Sequence, residues 1–498
     1  MARKLYLGID QGTTGTTTIL FDQAWNLVAR GYREIRQIYP RAGWVEHDAA
    51  EIWESVLSAV QDVMSAAGAA AGDIACLGID HEGESVVLWD RTTGAPIYHA
   101  IVWQDRRTAR YSDSLSEKYG EMVREKTGLM IDSYFSGTKI QWILDNVEGA
   151  RDQMRAGRLL AGNMDAWLIW KLTHGRVHAT DASTASRTML FNIHTQKWDP
   201  DILNLLKIDE SILPEIRDSA SVFGQTDPMD FLGISTPISG VLVDQQAALF
   251  GQACTVPGTI KTTYGTGCFM LMNTGKTPVY SPNGILTTVA WQLDGKLDFA
   301  LDGGIYIAGA ATQWLRDGLK IIHSASETEA MARRANDNGG VYFVPCFTGL
   351  AAPYWDSYAR GMMIGITGGT TQEHIVRATL ESTAYQVKDV LDVMEKDSQV
   401  PVSVMRCDGG ATVNSFLMQF QADILGIPLD IPVVADTTAL GAAYMAALGI
   451  HDFSSIHDVS SNWKLARCYE PQMSADQRES LLFNWHRAVE RAQHWVLD

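Results

Sequence analysis

The chain is poor in positive charge. Its 40 Lys and Arg stand against 58 Asp and Glu, for a net charge of −18. That balance argues against nucleic acid or an anionic membrane surface as a partner, because both repel an acidic protein. It leaves room for a small anionic cofactor, where local amides and cations decide. The six cysteines (Cys76, Cys254, Cys268, Cys346, Cys407 and Cys468) are scattered, with no CxxC pair. Neither a disulfide frame nor a zinc site is expected, and they read as reduced core thiols of a cytoplasmic protein. No apolar run is long enough to cross a membrane. Ala2-Arg3-Lys4 leads straight into a strand-like run with no signal-type segment. Low-complexity segments are also missing.

What is there is a globular composition, 46% hydrophobic over 498 residues. That length exceeds what one core usually serves, so two domains with a cleft between them are expected. Strand-like runs alternate with helical patterns, which predicts an α/β fold with a mixed sheet. Glu51–Met64 has helical spacing with Asp48 as its cap, and Gln372–Met394 is a second strong helix. Thr438–Ala447 (TALGAAYMAA) is a small-residue helix suited to close packing.

The most informative stretch is Leu5–Asp22, LYLGIDQGTTGTTTILFD. An apolar run ends in Asp10, a Gly/Thr turn follows, and a second apolar run closes the unit as strand–turn–strand. Glycines let backbone amides approach an anion, and threonine hydroxyls add donors. Asp10 at the strand end suits a metal, directly or through water. The turn thus reads either as a phosphate cradle with a magnesium carboxylate beside it or as an ordinary hairpin. It is not a P-loop, because GxxxxGK[ST] is missing and a strand follows. Lys261–Gly275, KTTYGTGCFMLMNTG, repeats the element half a chain later, and two such hairpins predict a duplicated fold.

Three further strand ends carry chemistry. Ile74–Ile79 runs into Asp80-His81-Glu82-Gly83-Glu84-Ser85. Such a cluster is ordinarily a solvated loop. Its functional alternative is a ligand site beyond the strand end, with Trp103 facing the carbons of a polyol and carboxylates accepting its hydroxyls. Ile238–Val243 ends in Asp244, whose spacing favours a helix cap and is equally compatible with a general base. Met405–Asp408, then Gly409-Gly410 and a helix from Asn414, puts bare amides and a helix N-terminus at one spot, which suits a nucleotide.

These stretches together resemble the FGGY carbohydrate kinases, and within that family its glycerol kinases, over essentially the whole chain. Tyr134–Asn146 (YFSGTKIQWILDN) fits the family's first signature with Lys139 and Trp142 in place, and Gly361–Glu381 fits its second. Similar wording recurs in GWVEHD (43–48), AIVWQDRRT (100–108), SRTMLFNIHT (186–195), DQQAALFGQ (244–252) and FTGLAAPYWD (347–356). The resemblance implies an actin-like, ribonuclease-H-like duplicated fold. Its domains would span 1–250 and 251–498, with ATP between them and the polyol deep in the cleft. It implies phosphorylation of a primary hydroxyl of a small polyol, with glycerol going to sn-glycerol 3-phosphate. By matching position, Asp244 is the general base. Gly83, Glu84, Trp103, Tyr134, Asp244, Gln245 and Phe269 match the substrate pocket. Thr13, Thr14, Gly15, Thr266, Gly309, Gln313, Gly410 and Asn414 match the nucleotide site, and Asp10 is the magnesium-side carboxylate. The family also implies a homo-oligomer, dimer or tetramer.

The sequence departs from the family in the pocket. Gly83 stands where the glycerol kinases carry an arginine, His81 and Glu82 replace Asn-Gln, and Thr17 replaces a second arginine. Glycine removes a two-pronged donor and opens volume, which raises a four- or five-carbon polyol or ketose as the alternative substrate. Two readings of another class are a non-catalytic polyol sensor, which phosphoryl transfer would exclude, and an actin-like structural ATPase. The polyol-pocket residues have no reason to exist in the latter.

Overall fold

The computed structural model describes residues 3–496. The first sheet is built on β1 (Leu5–Gln11), whose apolar residues are buried on both faces, as expected of a central strand. Around it lie β2 (Gly15–Phe21), β3 (Leu27–Glu34), β4 (Ile74–His81), the short β5 (Gly224–Gln225) and β6 (Pro237–Val243). Their order is β5-β6-β4-β1-β2-β3. The β1–β2 hairpin is antiparallel with Asp10 opposite Thr17 and Gln11 opposite Thr16. The strands β1, β4 and β6 run parallel, so Asp10 lies beside Asp80, and Asp80 beside Leu242. Three strand ends carrying Asp10, Asp80 and Asp244 therefore meet at one edge.

The second sheet repeats this plan. Its strands are β7 (Ile260–Tyr264), β8 (Cys268–Gly275), β9 (Leu286–Leu293), β10 (Lys296–Ile305), β11 (Met405–Asp408), β12 (Leu429–Pro432) and β13 (Leu465–Tyr469). The order is β9-β10-β8-β7-β11-β12-β13. β7 and β8 form the second Gly/Thr hairpin, and β11 runs parallel to β7 with Asp408 beside Thr263. The duplication expected from the two hairpins is present, and Asp408 occupies in the second sheet the place of Asp80 in the first.

Eight helices matter for the site: α1 (Ala49–Ala67), α2 (Ser136–Asn146), α3 (Ala182–Ser186), α4 (Asp244–Gly251), α5 (Gly309–Asp317), α6 (Gln372–Ser398), α7 (Ser415–Leu425) and α8 (Thr437–Gly449). Asp48 caps α1 by accepting from the Ala50 amide at 2.8 Å, as the sequence predicts. Small residues let α8 lie directly on both the first sheet and α4. A Cβ on Gly78 would sit 2.0 Å from the Ala442 carbonyl oxygen, and one on Gly441 1.8 Å from that of Ala247. Only glycine allows such backbone approach. The pair α4–α8 thus sits between the two sheets and carries Asp244 at one end. Five of the cysteines are buried and unbridged, and Cys468 is exposed.

Candidate active site

The floor of the cleft is the run 80–85. Contrary to the solvated loop that its composition suggests, Asp80, His81, Glu82, Glu84 and Ser85 are all buried. The reason lies in side chains remote in sequence. Asn163 donates to the carbonyls of Gly83 at 2.7 Å and Ser85 at 3.0 Å. His81 Nε2 lies 2.9 Å from the Thr184 hydroxyl. Ser136, at the start of α2, donates to the Glu84 carbonyl at 3.0 Å.

The Glu84 carboxylate is held by Arg187, which follows α3. Arg187 Nε donates to Glu84 Oε1 at 2.6 Å, and its Nη1 pairs with Asp302 Oδ2 of β10 at 3.0 Å. Burial pushes the Glu84 carboxyl upward in pKa, and the guanidinium opposes the shift. Arg187 therefore gives Glu84 a cation partner, and it bridges the substrate loop to the second sheet. The opening expected at Gly83 is also limited. This residue has φ +74°, and a Cβ there would lie 3.1 Å from Val243 Cγ1.

Two of the candidate aromatic residues lie side by side. Trp103 and Tyr134 meet edge to face with ring centroids 5.5 Å apart. Trp103 Nε1 also donates to Thr13 Oγ1 at 2.9 Å, which ties this pair to the phosphate hairpin. Burial keeps the Tyr134 phenol neutral. Lys139, the family-signature lysine, is wholly buried and donates to the carbonyl oxygens of Tyr134 and Phe135. Desolvation pushes its ammonium down to about 7. Phe269 lies on β8 opposite Gly304, two residues from Asp302 on the neighbouring strand. Trp103, Tyr134, Asp244, Gln245 and Phe269 are half-buried, whereas Glu84 lies beneath them.

Asp244 is the first residue of α4. The helix cap is Val243, so the reading of Asp244 as a cap is corrected. Its Oδ1 accepts from the Gln245 amide at 2.6 Å, and the charges of Glu84, Lys261 and Asp10 act on its carboxyl. Desolvation, with the Glu84 charge adding to it, pushes that carboxyl up to about 7, while the Lys261 ammonium opposes the shift. Asp10 accepts from the Thr438 hydroxyl of α8 at 2.7 Å. Asp80 is fully buried beside it, and neither of its oxygens has a hydrogen-bond donor among the described residues. Burial and the neighbouring Asp10 charge hold the Asp80 carboxyl well above the usual carboxylate range, and a divalent cation between the two acids would offset that repulsion. No group of three or more such ligands is gathered among the described residues. Magnesium suits this, because it is commonly held by one or two carboxylates plus nucleotide phosphates and water.

In the first hairpin, the Thr13 carbonyl accepts from Gln37 at 2.8 Å and the Thr14 carbonyl from the Ile35 amide at 3.0 Å. Gly15 is buried, and a Cβ there would lie 2.4 Å from the Arg33 carbonyl oxygen, so its role is backbone packing behind the turn. Thr13 is half-buried and Thr14 exposed at the tip. In the second lobe a cavity of about 440 Å³ opens, lined by Thr266, Gly309, Gln313, Gly410 and Asn414. All five of those sequence-predicted nucleotide positions therefore come together. Asn414 also caps α7 by accepting from the Leu417 amide at 3.0 Å. Sequence reasoning missed Arg316, Glu329 and Val413 on the same wall. It also missed Arg187, although SRTMLFNIHT contains it, and Lys261, at the edge of the second hairpin.

Comparison with known proteins bears on the family and the fold. The description "FGGY family of carbohydrate kinases, N-terminal domain" matches residues 5–251, and that of the C-terminal domain matches 260–450. Glycerol kinase 2 of Thermotoga maritima is 57% identical over 493 residues, 99% of each chain. The glycerol kinase of Caldanaerobacter subterraneus is 55% identical, again over 99% of each. The crystal structure of Plasmodium falciparum glycerol kinase with ADP superposes with a TM-score of 0.93 at 35% identity, covering 98% of each chain. Xylulose kinase from Lactobacillus acidophilus shares the fold with a TM-score of 0.88 at 20% identity. Among the described residues, no helix is long and apolar enough to cross a membrane. With both domain signatures matched and full-length relatives at this identity, the chain belongs to the FGGY family of carbohydrate kinases.

Proposed function

We propose that this kinase transfers the γ-phosphoryl group of ATP to a primary hydroxyl of glycerol, giving sn-glycerol 3-phosphate. The observation that carries this is Asp244. It is a carboxyl fixed where a strand passes into a helix, with Glu84 of the substrate loop, Asp10 of the first hairpin strand and Lys261 of the second close enough to act on its charge. Glu84 accepts hydrogen bonds from hydroxyls of the polyol, Gln245 donates to one of its oxygens, and Trp103, Tyr134 and Phe269 cover its carbons. Asp244 takes the proton of the attacking hydroxyl as that oxygen bonds to phosphorus and ADP leaves. Thr13, Thr14 and Thr266 cradle the phosphates from the two hairpins. Gly309, Gln313, Gly410 and Asn414 hold the nucleoside side. Asp10, with Asp80 beside it, holds magnesium, which when bound neutralises phosphate charge.

The four- or five-carbon substrate raised by Gly83 is not favoured. Full-length relatives are glycerol kinases, and Arg187 supplies a cation at Glu84. The lobes divide near residue 250, and the enzyme works in the cytoplasm as a homo-oligomer. The test is ATP-dependent phosphorylation of glycerol by wild type and Asp244→Asn. Loss of a general base lowers kcat by roughly 10²–10⁴-fold. Equal turnover in the variant removes Asp244 from this role, and no transfer in wild type leaves the sensor reading standing.

A further inference from the structure

Lys261 is a cation in an unusual position. It lies on β7 with none of its side chain exposed. Its ammonium donates to the side-chain oxygen of Gln245 and, at 3.1 Å, to the Thr263 hydroxyl. Among the described residues, no carboxylate lies within ion-pair distance of it. Asp408, Asp244 and Asp302 act on it only from further away. A buried charge is ordinarily paired, because the cost of taking it out of water is otherwise unrecovered. Burial pulls its pKa down, and the charges of Asp408, Asp244 and Asp302 oppose that shift.

The geometry points to what it does. An ammonium has only donors, and a glutamine amide has one oxygen end and one nitrogen end. With Lys261 on one side, Gln245 must turn its oxygen toward the ammonium. Its NH2 group is then left for the cleft. Gln245 is half-buried there, next in sequence to Asp244. We propose that Lys261 is a positioning residue that fixes the Gln245 amide as a hydrogen-bond donor to a substrate oxygen. Lys261 belongs to the second lobe and Gln245 to α4 at the end of the first. This rests on the polyol-kinase reading above and adds to it the sense in which one amide is read.

The sense matters for selectivity. A fixed donor accepts an alcohol oxygen, which carries lone pairs, and leaves a misplaced or missing oxygen with an unpaired amide. Sites that hydrogen-bond a specific hydroxyl reject analogues lacking it far more strongly than apolar pockets do. An amide free to flip offers either end and loses that discrimination.

The experiment is a steady-state kinetic cycle on the full chain with glycerol and magnesium-ATP. It compares wild type, Lys261→Met, Gln245→Met, the double variant and Gln245→Glu. Methionine keeps the apolar length of the lysine stem. The expected result is a KM for glycerol raised roughly tenfold or more in Lys261→Met, with the KM for ATP changed by less than about twofold. Gln245→Met shows a similar rise, and the double variant is no worse than the worse single, because both remove one interaction. Gln245→Glu, whose carboxylate pairs with Lys261, keeps or raises the melting temperature while glycerol KM rises, since the donor is gone. That variant stands on its own if Lys261→Met does not fold. The proposal is overturned if Lys261→Met changes stability with glycerol KM unmoved, if the two substitutions add, or if Gln245→Glu binds glycerol as wild type does. Absence of glycerol phosphorylation in wild type fails the functional reading itself and takes this premise with it. A normal wild-type rate with unmoved variant KM fails only Lys261.

Discussion

Removing Arg187 tests how the cleft is held together. Its guanidinium joins Glu84, from the substrate loop, to Asp302, from the second sheet, with side-chain exposures of 6%, 3% and 12%. Arg187→Met leaves Glu84 as a buried carboxylate with its charge partner gone. Breaking a buried ion pair from one side costs about 3–5 kcal/mol, because the remaining charge stays desolvated. Asp302 retains some solvent access, so most of the loss is at Glu84 and the lower end, about 3 kcal/mol, is expected. Glu84→Gln in the same background removes the stranded charge and restores at least half of that loss. Urea unfolding of wild type, both single variants and the double variant, followed by circular dichroism, reads these differences. A loss below about 1 kcal/mol in Arg187→Met, or additive effects in the double variant, refutes the bridge.

The other predictions concern the base and the pocket floor. The Asp244 carboxyl sits at about 7 and acts as a base only when ionised, so kcat/KM for glycerol rises with pH and levels above about 7. Stability runs the other way. A carboxyl whose pKa is raised by folding stabilises the fold below its unfolded value and loses that contribution as pH rises through its folded value. Asp244→Asn therefore flattens the pH dependence of unfolding free energy between about 4 and 7, and an unchanged profile counts against the assignment. Gly83→Arg places a side chain at φ +74° with its Cβ 3.1 Å from Val243 Cγ1. Left-handed backbone costs such a residue roughly 1–2 kcal/mol, so this variant is less stable and its kcat/KM for glycerol falls. A gain in glycerol kcat/KM would show that position 83 lacks the arginine it needs.

Much of this architecture was legible from local pattern. The hairpins at 5–22 and 261–275, the cap at Asp48, the long helix from Gln372 and the small-residue helix near 438–447 depend on neighbours in sequence. The gathering of Thr266, Gly309, Gln313, Gly410 and Asn414 is different, because those residues lie far apart along the chain and were expected from the family resemblance. What was hidden depends on contacts distant along the chain. The run 80–85 reads as solvated because nothing nearby shows that Asn163, Thr184 and Ser136 satisfy it from three other elements. Gly83 reads as a lost cation because the arginine that holds Glu84 lies a hundred residues on. Asp244 reads as a cap because caps and bases share residue type and position, and only the backbone at Val243 separates them. Lys261 carries no local signal at all, since a lysine opening a strand is ordinarily solvated.

The central claim is that the pocket takes glycerol. It is tested most directly by ADP release with magnesium-ATP over glycerol, dihydroxyacetone, erythritol, threitol, erythrulose, the pentitols, xylulose and ribulose. The account predicts the highest kcat/KM for glycerol, with sn-glycerol 3-phosphate as product. A four- or five-carbon polyol or ketose surpassing glycerol would contradict it, and would mean that glycine at position 83 sets the substrate.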